Sequence, residues 1–375
     1  MSKNEQKNAN INVLELSENK SFLSTIQNSN EIRTQTTQTM ILDYISIAKI
    51  LSVYGVVILH TNGKFWNFQY NNYKSYWISA NLIETIFYFA VPVFVLCIGA
   101  TLLDFNEKYS LKKYYYKRFE KVIIPLFCWS FIFYLLKEKN KKFGLTYLWN
   151  IYYEHKIYGI YGSLHEFVKI YIQIPLISYI EKKNKVKIYT YGFIILMVCK
   201  TLVPYLINVL NLKIIWIYNF KFDYMIYIFA GYIIHNYKFK IIFKILIYFL
   251  GISGFFIHLF GTQVLTIKYK KIDIRHKGYQ NLPCVLYSCS LFLFIKEYSY
   301  LIFKIINKQF INKIGMLTLG PFFLHMPIIS LITKHFNINT YNLSYRLFGG
   351  FAICSLCLII TAILKKIPLI KYLVP

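Results

Sequence analysis

The stretch ILDYISIAKILSVYGVVILHTNGKFW, residues 41–66, decides the fold. Between Tyr44 and Leu59 its only charged residue is Lys49, and the apolar run over about 42–62 is long enough as a helix to cross a ~30 Å hydrocarbon layer. Residues 1–40 before it are dominated by Asn, Gln, Ser, Thr and Glu, and hold no apolar run of signal-peptide length. They read as a disordered, polar cytoplasmic tail, so the 42–62 segment is the first inserted helix. Beyond it, nine further runs of the same kind are expected at roughly 78–103, 121–137, 158–180, 188–208, 214–235, 240–260, 282–302, 312–333 and 346–366. The expectation is an all-α, polytopic integral membrane helix bundle of about ten transmembrane helices, with residues 41–375 as one transmembrane domain.

Composition agrees. Of 375 residues, 56% are hydrophobic and only 16% charged, and the mean hydropathy is +0.42, which nearly excludes a water-soluble fold. The formal charge of +27 would suggest nucleic acid in a soluble chain. Here the cations fall mostly in short segments between apolar runs, where Lys and Arg set topology and meet anionic headgroups of membrane lipids. No basic helix or aromatic platform lies outside the membrane, so no nucleic-acid partner is expected. Ten spans put both termini on one side. The loop over 104–121, with Lys108, Lys112, Lys113, Lys117, Arg118 and Lys121, and that over 181–187, with four Lys, assign this side to the cytoplasm. The loops 137–157 and 261–280 also carry five cations each on the opposite side, so the bias is moderate. Seven cysteines lie almost wholly in apolar runs and read as small buried hydrophobes. Cys354 and Cys357 make a C-x-x-C, but no second ligand pair follows and no metal site is expected.

A charge at the bilayer centre costs about 2.5–3.5 kcal/mol even on lenient scales, so each ionisable group in a span is a functional candidate. The first span has the most suggestive set. Lys49 and His60 are eleven residues apart, which at 100° per residue returns to within roughly 20° of the same face and separates them by ~16 Å along the axis. Such a face suits a long substrate lying in one channel, with a cation at one end and an imidazole deeper in. The same spacing is met if Lys49 snorkels to headgroups and His60 is interfacial. Asp43 lies about 25 Å from His60 by the same rise, too far to orient it.

These residues resemble the opening helix of the acyltransferase 3 family of integral membrane acyltransferases, whose pattern is Asp, then Arg or Lys, ten residues, then His. Asp43, Lys49 and His60 match it. FYFAVPVFVLCIGATLLDF (Phe87 to Phe105) resembles the family's Val-Pro-x-Phe-Phe segment ending at a small Gly. YYYKRFEKVIIPLFCWSF is similar to its basic cytoplasmic helix running into an Ile-Pro span. Where the family often has Arg-x-x-Arg, this chain has Arg118-Phe-Glu-Lys121, keeping the charge but losing one planar fork. SLHEFVKIYIQIPLI resembles the family's His-Leu-Trp-Phe segment only loosely: no Trp follows His165, and Glu166 and Lys169 intrude. YIFAGYIIH and LTLGPFFLHMPII, the latter with His325, resemble later motifs. The likeness covers about residues 41–366.

The resemblance implies transfer of an acyl group, usually acetyl, from cytoplasmic acetyl-CoA to a hydroxyl of a cell-surface polysaccharide or its lipid-linked precursor at the bacterial inner membrane. Lys49, Arg118 and Lys121 would bind the polyanionic donor. His60 would serve the sugar hydroxyl as general base, or carry the acetyl group for one step. Glu84 reads as half of a structural ion pair with a neighbour's Lys or His, rather than as a participant in catalysis. His325 reads as a packing residue or as a donor to the developing oxyanion. Asp43 would pair with a cation at the cytoplasmic end. Lys221 and Asp223 read as markers of the membrane boundary. No appended extracytoplasmic domain is expected after the last span, and the expectation is that the chain either completes transfer alone or passes the acetyl group to a separate extracytoplasmic partner. The rival class is a transporter or flippase of lipid-linked glycans, with the buried cations as a polyanion path; no inverted repeat supports it.

Overall fold

Glycine decides how the central helices meet. In the computed structural model, which describes residues 43–137, 158–214, 224–368 and 370–374, every described element is helical or a turn. The helices are α1 (Asp43–Thr61), α2 (Tyr73–Phe87), α3 (Ala90–Leu102), α4 (Leu111–Arg118), α5 (Ile124–Lys137), α6 (Tyr158–Ser178), α7 (Lys182–Val209), α8 (Met225–Asn236), α9 (Ile241–Tyr269), α10 (Leu282–Ile305), α11 (Lys308–Gly315), α12 (Leu319–His335) and α13 (Tyr345–Leu364). The protein is an all-α helical membrane bundle. Where α3 crosses α8, a Cβ on Gly99 would stand 2.1 Å from the Ile228 carbonyl oxygen, and one on Gly231 would stand 2.1 Å from that of Leu96. The two backbones touch because neither residue has a side chain, the contact that replaces hydrophobic drive between apolar helices. These glycines belong to the second-span and sixth-span motifs read from the sequence.

Six described helical stretches are long and apolar enough to cross a membrane, and α11 with α12 make a seventh if their 64° bend is taken as one broken span. That is fewer than the ten read from the sequence. The sixth expected run shows in the described residues only as the 12-residue α8, and the third runs up to residues outside the described set. Burial sorts the spans: the α2–α3 stretch has 83% of its most apolar window inside the protein, whereas α7 and α9 have 11% and 17% and turn most of their apolar surface outward. Outward apolar faces of this extent are what lipid covers. The core gathers α1, α3, α8, α10, α12 and α13.

The α11–α12 break has a local cause. A Cβ on Gly315 would lie 2.7 Å from that of Ser46 on α1, so the chain approaches α1 closely here and then turns. A π-type turn at Phe119–Ile123 joins α4 to α5, and wide turns of this kind recur at functional sites. At the end of the bundle that holds Asp43, Lys185 pairs with Asp104 at 2.7 Å and Lys182 with Glu107 at 2.8 Å, tying α7 to the turn after α3. The polar tail read over residues 1–40 and the pair Lys221 and Asp223 lie outside the described residues.

Candidate active site

Helix α1 borders a cleft near one end and a histidine pair at the other. Near the Asp43 end, Lys49 opens onto a cleft of about 370 Å³ lined also by Cys97 and Thr101 of α3, Arg118 at the end of α4, Lys121 in the π-type turn, Tyr171 of α6, the α11–α12 break and Lys365 just after α13. Four cations line it, and none of its lining residues is an Asp or Glu. Lys49, Arg118, Lys121 and Lys365 form no ion pair among the described residues. Arg118 is held by aromatic faces, its guanidinium 5.3 Å from the Tyr171 ring centroid and 5.7 Å from that of Tyr114, while the Tyr114 hydroxyl donates to the Tyr171 carbonyl at 3.0 Å. Its Nε is buried without a hydrogen-bond partner. Lys365 donates to the Met316 carbonyl at 3.1 Å, inside the break. Cations gathered without counter-charge and partly removed from water call for an anion, and a guanidinium with an unused donor suits phosphate oxygens. The three donor-binding residues expected from the sequence are thus brought to one cleft, with Lys365 as a fourth.

At the other end of α1, the His60 ring lies 4.8 Å, centroid to centroid, from that of His325 on α12. His60 itself is exposed. His325 is 2% exposed. Its Nδ1 donates to the Pro321 carbonyl at 2.6 Å, one turn back on α12, since a carbonyl can only accept. That bond fixes the tautomer: in neutral His325, Nε2 holds a lone pair, and this atom is buried without a partner. Donation to an oxyanion would require the doubly protonated ring.

The turn after His60 is tied down by a buried polar network. Thr61 Oγ1 donates to the Arg346 carbonyl at 2.9 Å, and Asn62 Nδ2 donates to the Ala80 carbonyl at 2.8 Å and to Glu84 at 3.3 Å. Arg346, 1% exposed, donates to Asn62 Oδ1 at 3.2 Å, Ser79 Oγ at 2.7 Å and the Tyr341 carbonyl at 3.1 Å. Glu84 forms an ion pair with Lys277 at 3.1 Å, with 4% and 1% of the two side chains exposed. Burial draws the Lys277 pKa down, and the Glu84 carboxylate opposes it. Glu84 therefore lies in an ion pair beside the site. Asp43 lies at the opposite end, accepting from Asn312 at 2.9 Å and paired with Lys308.

In the loosely matching segment, Glu166 pairs with its neighbour Lys169 at 2.7 Å, and the side chain of His165 lies outside those described. Among the described residues no group of three His, Cys, Asp or Glu is placed to hold a metal. Sequence reasoning missed Lys365, Arg346 and Lys277, because each stands at the end of an apolar run or in a loop and so looks like an ordinary boundary cation. The only signal available was that Arg346 opens a span with no acidic residue near it in sequence.

A family described as an acyltransferase domain matches residues 42–363. No curated protein and no solved structure matches the chain.

Proposed function

Because the chain belongs to the acyltransferase 3 family, we propose that this membrane acyltransferase moves an acetyl group from acetyl-CoA to a hydroxyl of a cell-surface polysaccharide or its lipid-linked precursor. The observation that carries the reading is the four-cation cleft on the same helix as the His60–His325 pair. A coenzyme A thioester has a polyphosphate head and a long thin arm. Lys49, Arg118, Lys121 and Lys365 would hold the head, and the ~16 Å of α1 from Lys49 to His60 is a distance for the arm to span. The cation-rich turns over 104–121 and 181–187 support placing this end in the cytoplasm of a bacterial inner membrane, with both termini beside it.

At the far end the acceptor oxygen attacks the thioester carbonyl while His60 takes the hydroxyl proton. His60 then returns that proton to the departing sulfur, leaving an ester and a thiol. His325, with its Nε2 lone pair, would accept from a protonated ring nitrogen of His60 and keep the other nitrogen aimed at the acceptor. If the acetyl group instead rests on His60 for one step, the same residues serve. Exposed Trp66 and Tyr70, with Tyr341 beneath Lys64 at 4.3 Å, follow just beyond His60 and suit the faces and hydroxyls of a sugar.

The test is transfer from radiolabelled acetyl-CoA to the host's extracted surface glycans in membranes carrying wild type or His60→Ala at equal abundance. Base-labile label made by wild type and absent with His60→Ala is expected. Label on the protein itself when glycan is withheld identifies the covalent route. Absence of any label above empty membranes would overturn the reading in favour of glycan transport, and label that survives His60→Ala would keep the enzyme and remove His60 from its site.

A further inference from the structure

Arg346 is an unusual residue to find where it stands. It stands in the first turn of α13, it is 1% exposed, and its three guanidinium partners, Asn62 Oδ1, Ser79 Oγ and the Tyr341 carbonyl, are all neutral. A long cation at a span end ordinarily snorkels to water. Here it points inward, and the nearest acid in its network, Glu84, is one hydrogen bond further on and already paired with Lys277. Burying a guanidinium among neutral acceptors is costly, so the gain must lie in the geometry it enforces.

That geometry centres on the two residues after His60. The backbone carbonyl of Arg346 receives the Thr61 hydroxyl, and its guanidinium holds the Asn62 side chain, whose amide nitrogen reaches α2 at the Ala80 carbonyl. Arg346 Nη2 reaches α2 again at Ser79. One side chain therefore clamps the last turn of α1 between α2 and α13, and a Cβ on Gly350, one turn later on α13, would come 2.7 Å from Ile58. Without the clamp the end of α1 keeps its helix but loses what sets its rotation and rise, on which the placing of the His60 ring against His325 depends.

We infer that Arg346 is a positioning residue for acyl transfer, holding the final turn of α1 so that the His60 imidazole faces His325 and the reacting atoms. The inference rests on the proposed role of His60. It predicts a loss of turnover without loss of donor binding, because the donor cleft lies at the other end of α1.

The experiment uses the full chain in lipid nanodiscs, as wild type, Arg346→Gln, Arg346→Lys and Thr61→Val. Two quantities are read: kcat and KM for acetyl-CoA, and the rate at which diethyl pyrocarbonate modifies His60, followed by mass spectrometry. A misplacement near 1 Å costs about 100-fold, so Arg346→Gln is expected to lower kcat by about 10- to 100-fold with KM for acetyl-CoA unchanged. His60 modification should change at least about threefold, as an imidazole freed from one orientation presents its nitrogens differently. Arg346→Lys should recover part of both, and Thr61→Val, which removes one donor and preserves volume, should shift both in the same direction. Unchanged kcat and unchanged His60 modification in Arg346→Gln would overturn the inference, and so would a rise in KM matching the fall in kcat. If wild type transfers no acetyl group, the proposed function fails, while the modification rates still decide whether Arg346 holds His60.

Discussion

Replacing Glu84 by Leu should destabilise the protein strongly, and replacing Lys277 by Met in the same chain should restore most of the loss. Lys277 and Glu84 stand 3.1 Å apart with under 5% of either side chain exposed. At an effective dielectric of ~20, Coulomb's law gives about 5 kcal/mol of attraction at that distance. Taking each ion out of water costs several kcal/mol, so the intact pair nets close to zero. Glu84→Leu removes the attraction and leaves the ammonium desolvated among Phe65, Trp66 and Tyr88, whose ring centroids lie 4.5, 5.6 and 3.7 Å from it. Cation–π contact recovers only about 1–2 kcal/mol of this. The net cost expected is about 3–5 kcal/mol. Asn62 loses one weak bond but keeps the Ala80 carbonyl. Lys277→Met alone should also destabilise, by leaving an unpaired carboxylate, while the double variant should come within about 1–2 kcal/mol of wild type. Equilibrium unfolding in mixed micelles of dodecyl sulfate and dodecyl maltoside measures all four corners of the cycle. A Glu84→Leu protein as stable as wild type, or a double variant no better than the worse single one, would refute the reasoning.

Three further outcomes are expected. Lys49→Gln and Arg118→Gln should each raise KM for the acyl donor by about 10- to 150-fold with little change in kcat, the loss of one charge-assisted bond worth about 1.5–3 kcal/mol; Arg118→Lys should recover only part, and steady-state kinetics against acetyl-CoA checks it. Gly99→Ala should lower the yield of folded protein by size-exclusion chromatography, since its methyl would meet the Ile228 carbonyl oxygen at 2.1 Å and over-packing costs about 1–3 kcal/mol or more. In the 270–281 turn, burial works to raise the Asp273 pKa, but the Arg275 guanidinium, bonded at 2.8 Å, and the Arg275 backbone N–H outweigh it and hold the carboxyl below its ordinary range. A depressed carboxyl contributes stability that is present above the unfolded value of about 3.9 and lost as pH falls through the lower folded one. Proteolysis of this turn should therefore stay slow at neutral pH and quicken only below about pH 4, earlier in Arg275→Gln.

The sequence alone determined what is local. A helix repeats every 3.6 residues whatever surrounds it, so the eleven-residue step from Lys49 to His60 already implied one shared face and a separation of ~16 Å. The run of apolar residues implied the membrane, and the order of motifs implied the family. Gly99 and Gly231 could be read as motif members, but that each removes a clash with the other's helix follows only once α3 and α8 are crossed.

What tertiary structure decided is which cations turn inward. Lys365 and Arg346 end and begin the same apolar run, and by pattern both belong to the aqueous boundary. One enters the cation-lined cleft because α13 returns beside the α11–α12 break, and the other bonds to Asn62 and Ser79 because they offer acceptors within reach. The pairing of His60 with His325 and the fixed tautomer of His325 likewise depend on residues 265 positions apart meeting in space. Charge at the end of a span costs little in either direction until neighbours supply or withhold partners, and those neighbours are set by long-range packing that hydropathy and periodicity do not encode.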